Sequence, residues 1–348
     1  MTRAAFVFPN PRAALAAEVA AGLAPDSTLL GQNHLAEHGV DGRLVDLGAL
    51  DPDQPSGRIL WHARELALPW RLRGFDVAFT PLVNLFPVAA RVRRRPRIVT
   101  IEYGHALIYE RSGAARRSLI RAALRSAARV ICLGRWQHEH AVERIGLDRE
   151  RVVTLPVPID ERFFSPQPYA SSEPFVLTVG KDDARDFATF GAAVDGLDAQ
   201  VQVVAPPRIL RNVSLPANAR AGVVSHVELR NLYARAAAVI VPQRRDGHLY
   251  GSEGAGITAV LEGAASARPL VVSERALLRD YVTDGENALV VPAEDPAALR
   301  AAIERVLGDA ALGERLGAAG RARVERTHTT RGFASLLAPI LEDADAGR

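Results

Sequence analysis

Residues 179 to 187 read VGKDDARDF and contain Lys181, the only lysine in a chain of 348 residues. The other forty-two of its 43 lysine and arginine side chains are arginine. Lys181 directly follows the apolar run FVLTVG, and Arg185 comes four residues later, just before a helical segment. Two cations in a strand-to-helix loop, beside free main-chain N–H groups, suit a phosphate or diphosphate. The ammonium is a compact charge with rotatable donors and the guanidinium a planar fork, so they can hold different oxygens. The same loop carries Asp182, Asp183 and Asp186, and pairing of both cations with these acids is the competing reading.

A second stretch with chemistry begins at Tyr250 and reads YGSEGAGITAVLEGAASAR. Gly251, Gly254 and Gly256 let a bulky anion approach the main chain at the positive end of the helix that follows. Gly180, Gly254, Ala255, Gly256 and Ile257 are therefore candidate main-chain donor-binding positions. Glu262 lies about two turns into that helix among Val260, Leu261, Ala264 and Ala265, where an acid needs a reason to be. Hydrogen bonding to a sugar or ribose hydroxyl supplies one, against the alternative of a glutamate on a partly exposed helix.

Positioning such loops requires strands ending in one crevice. Short apolar runs alternate with alanine- and leucine-rich helical segments throughout. Six lie at 4–8, 42–47, 76–80, 97–102, 129–134 and 152–157, and six more at 175–180, 201–206, 221–226, 238–243, 270–273 and 288–292. Near-continuous apolar strands separated by helices predict an α/β protein of two doubly wound, Rossmann-like parallel-sheet domains. The stretch PVPIDERFFSPQPYASSEP, with five prolines and three serines, marks the seam. The expected division is a first domain over 1–160, a linker over 161–174, a second domain over 175–329 and a terminal helix within 330–348 that packs back on the first. Ligands of open parallel sheets bind beyond the carboxyl ends of the strands, so a central cleft between the domains is the expected site.

The stretch GITAVLEGAASARPLVVSERALLRDYVTDGENALVVPAEDPAALRAAIERVL resembles the carboxyl-terminal domain of the retaining GT-B glycosyltransferases called glycosyltransferase family 4. The family's glycine loop and glutamate-bearing helix, its "GxPVV" strand, its "DGENGLLVP" turn and its "DPxALAxAI" helix match here in order and spacing. The last three fall at Arg268–Val272, Asp284–Pro292 and Asp295–Ile303. LPVPIDERFF (155–164) is similar to the segment entering the family's second domain. The likeness covers most of 130–330 and only loosely the first 125 residues. It implies a transferase moving a sugar from a nucleotide diphosphate sugar, a UDP- or GDP-sugar, to an acceptor hydroxyl with retention and without a metal. It further implies Lys181 and Arg185 on the diphosphate, Glu262 on the ribose and His105, in the stretch RIVTIEYGH, facing the donor sugar. Two departures stand out. The family usually places arginine before lysine in the first loop. Its paired glutamates have seven intervening residues, whereas Glu253 and Glu262 have eight. Glu253 is the candidate for the first of that pair. Thr80, Asn84 and Glu102 follow strands of the first domain and are candidates for the acceptor side. Rival readings are a nucleotide-sugar epimerase or a sugar phosphorylase on the same frame, and a non-catalytic nucleotide-sugar binder.

Bulk properties set limits on these readings. Net charge is only +3, and no aromatic-plus-basic nucleic-acid motif appears, so no nucleic-acid partner is expected. A single cysteine, Cys132 in the run RVICLG, excludes an internal disulfide. The apolar run at the start is too short for a signal peptide, and no stretch is long enough to span a bilayer, so a cytoplasmic location is expected. Residues 111–130 carry six arginines and no acid, with Arg117, Arg121, Arg125 and Arg129 every four residues. That stripe reads either as a solvated face or as peripheral contact with an anionic inner membrane face or a lipid acceptor. A glycan or a small natural product are the other acceptor classes. Asp51 and Asp53 sit in a proline-rich loop, and His138 and His140 point apart on a helix, so no metal is expected. No dinucleotide fingerprint follows the first strand and no nucleophile elbow appears.

Overall fold

The computed structural model describes residues 1–8, 10–46, 64–81, 89–90, 95–167 and 174–347. The chain divides into two compact units, the first formed by Met1–Ala21, Asp26–Pro158 and Thr330–Arg348, the second by Gly22–Pro25 and Ile159–Thr329.

In the first unit β1 (Thr2–Phe8), β2 (Val40–Asp46), β3 (Val77–Thr80), β4 (Arg97–Ile101), β5 (Arg129–Cys132) and β6 (Val152–Thr154) form one sheet. Its order is β2-β1-β3-β4-β5-β6 and every pairing is parallel. All four residues of β3 are buried, as expected of a central strand covered on both faces. Ile120 and Leu124 of the helix Ala114–Ser126 pack with Val130, Cys132 and Val152 in this unit's core. The helix Thr330–Ala346 also belongs to it, burying Phe333, Leu337 and Leu341, and Thr2 donates to Asp345 at 3.1 Å.

In the second unit β7 (Phe175–Val179), β8 (Gln200–Val204), β9 (Ala219–Gly222), β10 (Ala238–Val241), β11 (Leu270–Ser273) and β12 (Leu289–Val291) form a second parallel sheet. Its order is β12-β11-β10-β7-β8-β9. Phe187, Phe190 and Val194 of the helix Phe187–Val194 pack with Val176, Val203 and Ile240, and with Leu299 and Ile303 of the helix Pro296–Gly308. Four helices here start on side-chain caps, Asp186, Ser225, Asp295 and Asp309, which satisfy first-turn N–H groups. Two flanked parallel sheets are the two Rossmann-like domains expected.

Two details differ from expectation. The run at 221–226 is not the strand: β9 ends at Gly222 and Val223 is 70% exposed. Ser225 forms a capping box with Glu228, so the helix His226–Arg235 claims that end of the run. Of the expected linker, residues 161–164 form a turn with Phe163 and Phe164 buried in the second unit, while 168–173 lie outside the described residues.

The arginine stripe is also engaged inside the first unit. Arg117 donates to the carbonyls of Tyr109 and Glu110, Arg121 to that of Ile145, Arg125 to that of Gly146 and Arg129 to that of Ala128. Arg117, Arg121 and Arg125 thereby tie neighbouring carbonyls to the helix Ala114–Ser126, a use of guanidinium that sequence spacing does not reveal. No helix among the described residues is long and apolar enough to cross a membrane.

Candidate functional site

In the second unit the chain runs outward from β7 to β9, then returns to the other side of β7 with β10. The strand order reverses between β7 and β10, and the crevice beyond that point is where open α/β sheets bind ligands. The loops leaving these two strands are 180–186 and 242–256. They are sewn together: Asp186 N donates to Pro242 O at 3.2 Å, Arg244 N to Ala184 O at 2.9 Å, and Arg185 and Gln243 form an isolated antiparallel bridge.

Arg185 is 3% exposed at this junction. Gly180 makes room for it, since a Cβ at that position would lie 2.7 Å from Arg185 Cγ. One donor, Nη2, reaches Thr178 Oγ1 at 3.3 Å. Nε and Nη1 are buried and meet no hydrogen-bond partner among the described residues. Burial pushes the guanidinium down to about 10, opposed by the proximity of Tyr233 and Asp182. Gly256, at φ +84, caps the helix Ile257–Ala265, and a Cβ there would lie 3.1 Å from Arg185 Nη1 and 1.8 Å from Gln243 Nε2. The guanidinium, with Nε and Nη1 idle among the described residues, therefore sits beside the positive end of that helix. A buried cation with idle donors is costly unless an anion completes it.

Glu262 is 8% exposed on the same helix. Burial raises its carboxyl to about 7, with Tyr233 and then Lys181 pulling the other way. The Tyr233 hydroxyl lies close enough to favour the carboxylate, yet among the described residues it meets no partner at hydrogen-bond geometry. Tyr233 is fully buried, with Phe164 edge-on at 5.6 Å. Lys181 itself is exposed. Glu253 is 2% exposed within the glycine loop.

The competing reading of the first loop does not hold. Neither Lys181 nor Arg185 forms an ion pair with any of the three acids beside them among the described residues. Asp186 caps its helix, accepting from Thr189 N at 3.1 Å and Thr189 Oγ1 at 2.6 Å, and Asp183 lies 3.7 Å from Arg208. Asp182 accepts from main-chain and hydroxyl donors of both loops.

In the first unit Thr80 ends β3 fully buried, and Glu102 follows β4 at 1% exposure. The Glu102 carboxylate takes the Cys132 thiol at 3.7 Å, which turns it inward. His105 opens the helix His105–Arg111 after Gly104, whose φ is 111. Its Nδ1 is buried without a partner among the described residues, and burial lowers the imidazole to about 4, so the ring is neutral near pH 7. Asn84, Asp51 and Asp53 lie outside the described residues. His138 pairs with Thr154 and His140 with Glu110, and no cluster suited to a metal occurs among the described residues.

Tyr233, Asp182, Ser252, Gln243 and Arg275 went unnoticed as site residues in the sequence. Tyr233 sits in a helix between two strands with no motif around it, and only the packing of that helix brings it to Glu262. Asp182 was visible, but as a counter-ion.

Residues 19–163 match the family described as Glycosyltransferase Family 4, and residues 184–309 the family described as Glycosyl transferases group 1. No curated protein matches significantly by sequence. Among solved structures, sucrose-phosphate synthase from Thermosynechococcus elongatus aligns over 100% of both chains, at 19% identity and a TM-score of 0.77. HepE of Anabaena in complex with UDP-glucose aligns over 99% of this chain and 100% of its own, at 11% identity and 0.71. A glycosyltransferase from Rickettsia africae aligns over 99% and 98%, at 12% identity and 0.70. At such identities the likeness establishes a shared fold.

Proposed function

This chain belongs to the glycosyltransferases of family 4 and group 1, and from that premise we propose that it moves a sugar from a UDP-sugar to an acceptor hydroxyl. The observation that carries the reading is Arg185, buried with two idle donors beside the amino terminus of the Glu262 helix at the strand-order reversal. The β-phosphate of a nucleotide diphosphate supplies the missing anion. Lys181 takes further oxygens from the solvent side, and the main chain around Gly254 to Ile257 takes the rest. Glu262 accepts from the ribose hydroxyls, which reach a carboxylate whose burial already asks for donors. HepE, solved with UDP and with UDP-glucose, supports uridine diphosphate over guanosine diphosphate as the leaving group.

When the glycosidic bond of the donor breaks, negative charge grows on the departing diphosphate. Arg185, Lys181 and the helix terminus stabilise charge where it develops, and fixed cations do so without a metal ion. The resemblance implies retention of configuration: a phosphate oxygen of the leaving group takes the acceptor proton on the same sugar face. The donor-sugar roles of His105 and Glu253 rest on the resemblance alone, and the first unit is expected to supply the acceptor side.

The test is a thermal-shift comparison of UDP, GDP, ADP and dTDP on the wild-type chain and on Arg185→Ala. UDP should raise the melting temperature most, because a ligand of the native state adds stability. Arg185→Ala should abolish that gain. A UDP response that survives Arg185→Ala would refute the diphosphate assignment. Incubation with donor alone separates transfer from isomerisation, since an epimerase would convert the donor sugar with no acceptor present.

A further inference from the structure

Asp182 makes contacts that no counter-ion role accounts for. Within its own loop Oδ1 accepts from Ala184 N at 2.8 Å. Across to the glycine loop, Ser252 N donates to Oδ1 at 3.1 Å and to Oδ2 at 3.2 Å, and Ser252 Oγ donates to Oδ2 at 2.8 Å. Gly251 permits this approach: its φ is +82, and a Cβ there would lie 2.2 Å from Asp182 Oδ1. From the other side Arg275, 2% exposed, donates Nη1 to Ser252 O at 3.2 Å, while its Nε is held by Asp246 at 3.2 Å. The amide, hydroxyl and carbonyl of Ser252 are thus all held. Three residues later Gln243 Nε2 donates to Ala255 O at 2.6 Å.

A segment with glycines at 251, 254 and 256 has much conformational freedom to lose. We propose that Asp182 is a positioning residue for the donor diphosphate, clamping the glycine loop 251–256 to the cation loop 180–185 before the ligand arrives. The ordering entropy is then spent in folding instead of in binding, which tightens binding without any contact between Asp182 and the ligand. The arrangement also keeps the Asp182 carboxylate off Arg185. Its oxygens are filled by neutral donors, and the guanidinium stays available to phosphate oxygens. The inference rests on the diphosphate reading, and its test has one arm that needs no nucleotide.

In that arm, hydrogen exchange is followed at residues 251–256 of the chain without ligand. Asp182→Ala should speed exchange of the Ser252 amide by about tenfold or more, the order of one lost charge-assisted hydrogen bond. Asp182→Asn, which keeps the Oδ1 acceptor, should speed it less. In the second arm calorimetry compares UDP with uridine. Asp182→Ala should weaken UDP by about tenfold while uridine, lacking the diphosphate, changes less than about twofold. Asp182→Asn should recover part of the UDP loss. Unchanged exchange at Ser252, unchanged UDP affinity, or equal losses for UDP and uridine would overturn the clamp. If Asp182→Ala shows the exchange effect while the wild-type chain takes up no UDP, the diphosphate reading is overturned instead. Should Asp182→Ala fail to fold, Asp182→Asn and Ser252→Ala carry both arms.

Discussion

Replacing Glu262 with glutamine should make the second unit more stable at pH 8 than the wild type, and the advantage should vanish in acid. The carboxyl rises from 4.5 in an open chain to about 7 in the fold, chiefly through burial. A native state that holds its proton more tightly than the unfolded chain is favoured by low pH. The contribution is complete below pH 4.5 and is lost as pH climbs through 7. A shift of roughly 2.5 units at 1.36 kcal/mol each amounts to about 3 kcal/mol across that window. Glutamine does not titrate, and all other groups are common to both proteins. The difference in unfolding free energy, variant minus wild type, should therefore grow by about 3 kcal/mol between pH 4.5 and pH 8.

Urea unfolding followed by far-ultraviolet circular dichroism at four pH values measures it. The sequence offers an internal control. No tryptophan occurs in the stretches that form the second unit, Gly22–Pro25 and Ile159–Thr329, so tryptophan fluorescence does not report that unit and should not shift with the substitution. A variant-minus-wild-type difference that stays flat with pH would show that Glu262 titrates in the fold as it does in the open chain. The argument from burial would then be wrong.

Two further substitutions probe the same crevice. Lys181→Ala should weaken UDP about tenfold in calorimetry and Lys181→Arg less than about threefold, because an exposed position accommodates the longer cation; equal, unchanged affinities would remove Lys181 from the site. Gly256→Ala places a Cβ where Gln243 Nε2 now lies and strains a backbone at φ +84, so urea unfolding should record a loss of about 1–3 kcal/mol together with loss of the UDP thermal shift.

Much of the fold was legible because burial on both faces leaves a plain mark on a strand. β3, β10 and β11 are buried at every residue and appear in the sequence as apolar runs, broken only where β3 and β11 end on Thr80 and Ser273. The edge strand β9 left the weakest mark. Exposed for most of its length, it reads ARAG, while the more apolar Val223 and Val224 lie beyond it, between the strand and the cap Ser225. In the site, Lys181, Arg185 and Glu262 drew notice because their types were out of keeping with their neighbours. Tyr233 did not, since a tyrosine in an amphipathic helix is unremarkable until its hydroxyl is found buried.

Two parallel α/β sheets, the loops that carry cations and glycines, and the glutamate that follows them can be read along the chain. These follow from local pattern, because hydrophobic period, glycine content and charge are properties of neighbouring residues. How the charges are used depends on the folded arrangement of the loops. It gave Asp182 to Ser252, Asp186 to a helix cap and the stripe arginines to main-chain carbonyls, and it left Arg185 buried with donors to spare. Pairing of charges is set by distance and direction across residues far apart in the chain. A loop holding two cations and three acids is compatible with several pairings until the second loop, seventy residues away, closes over it.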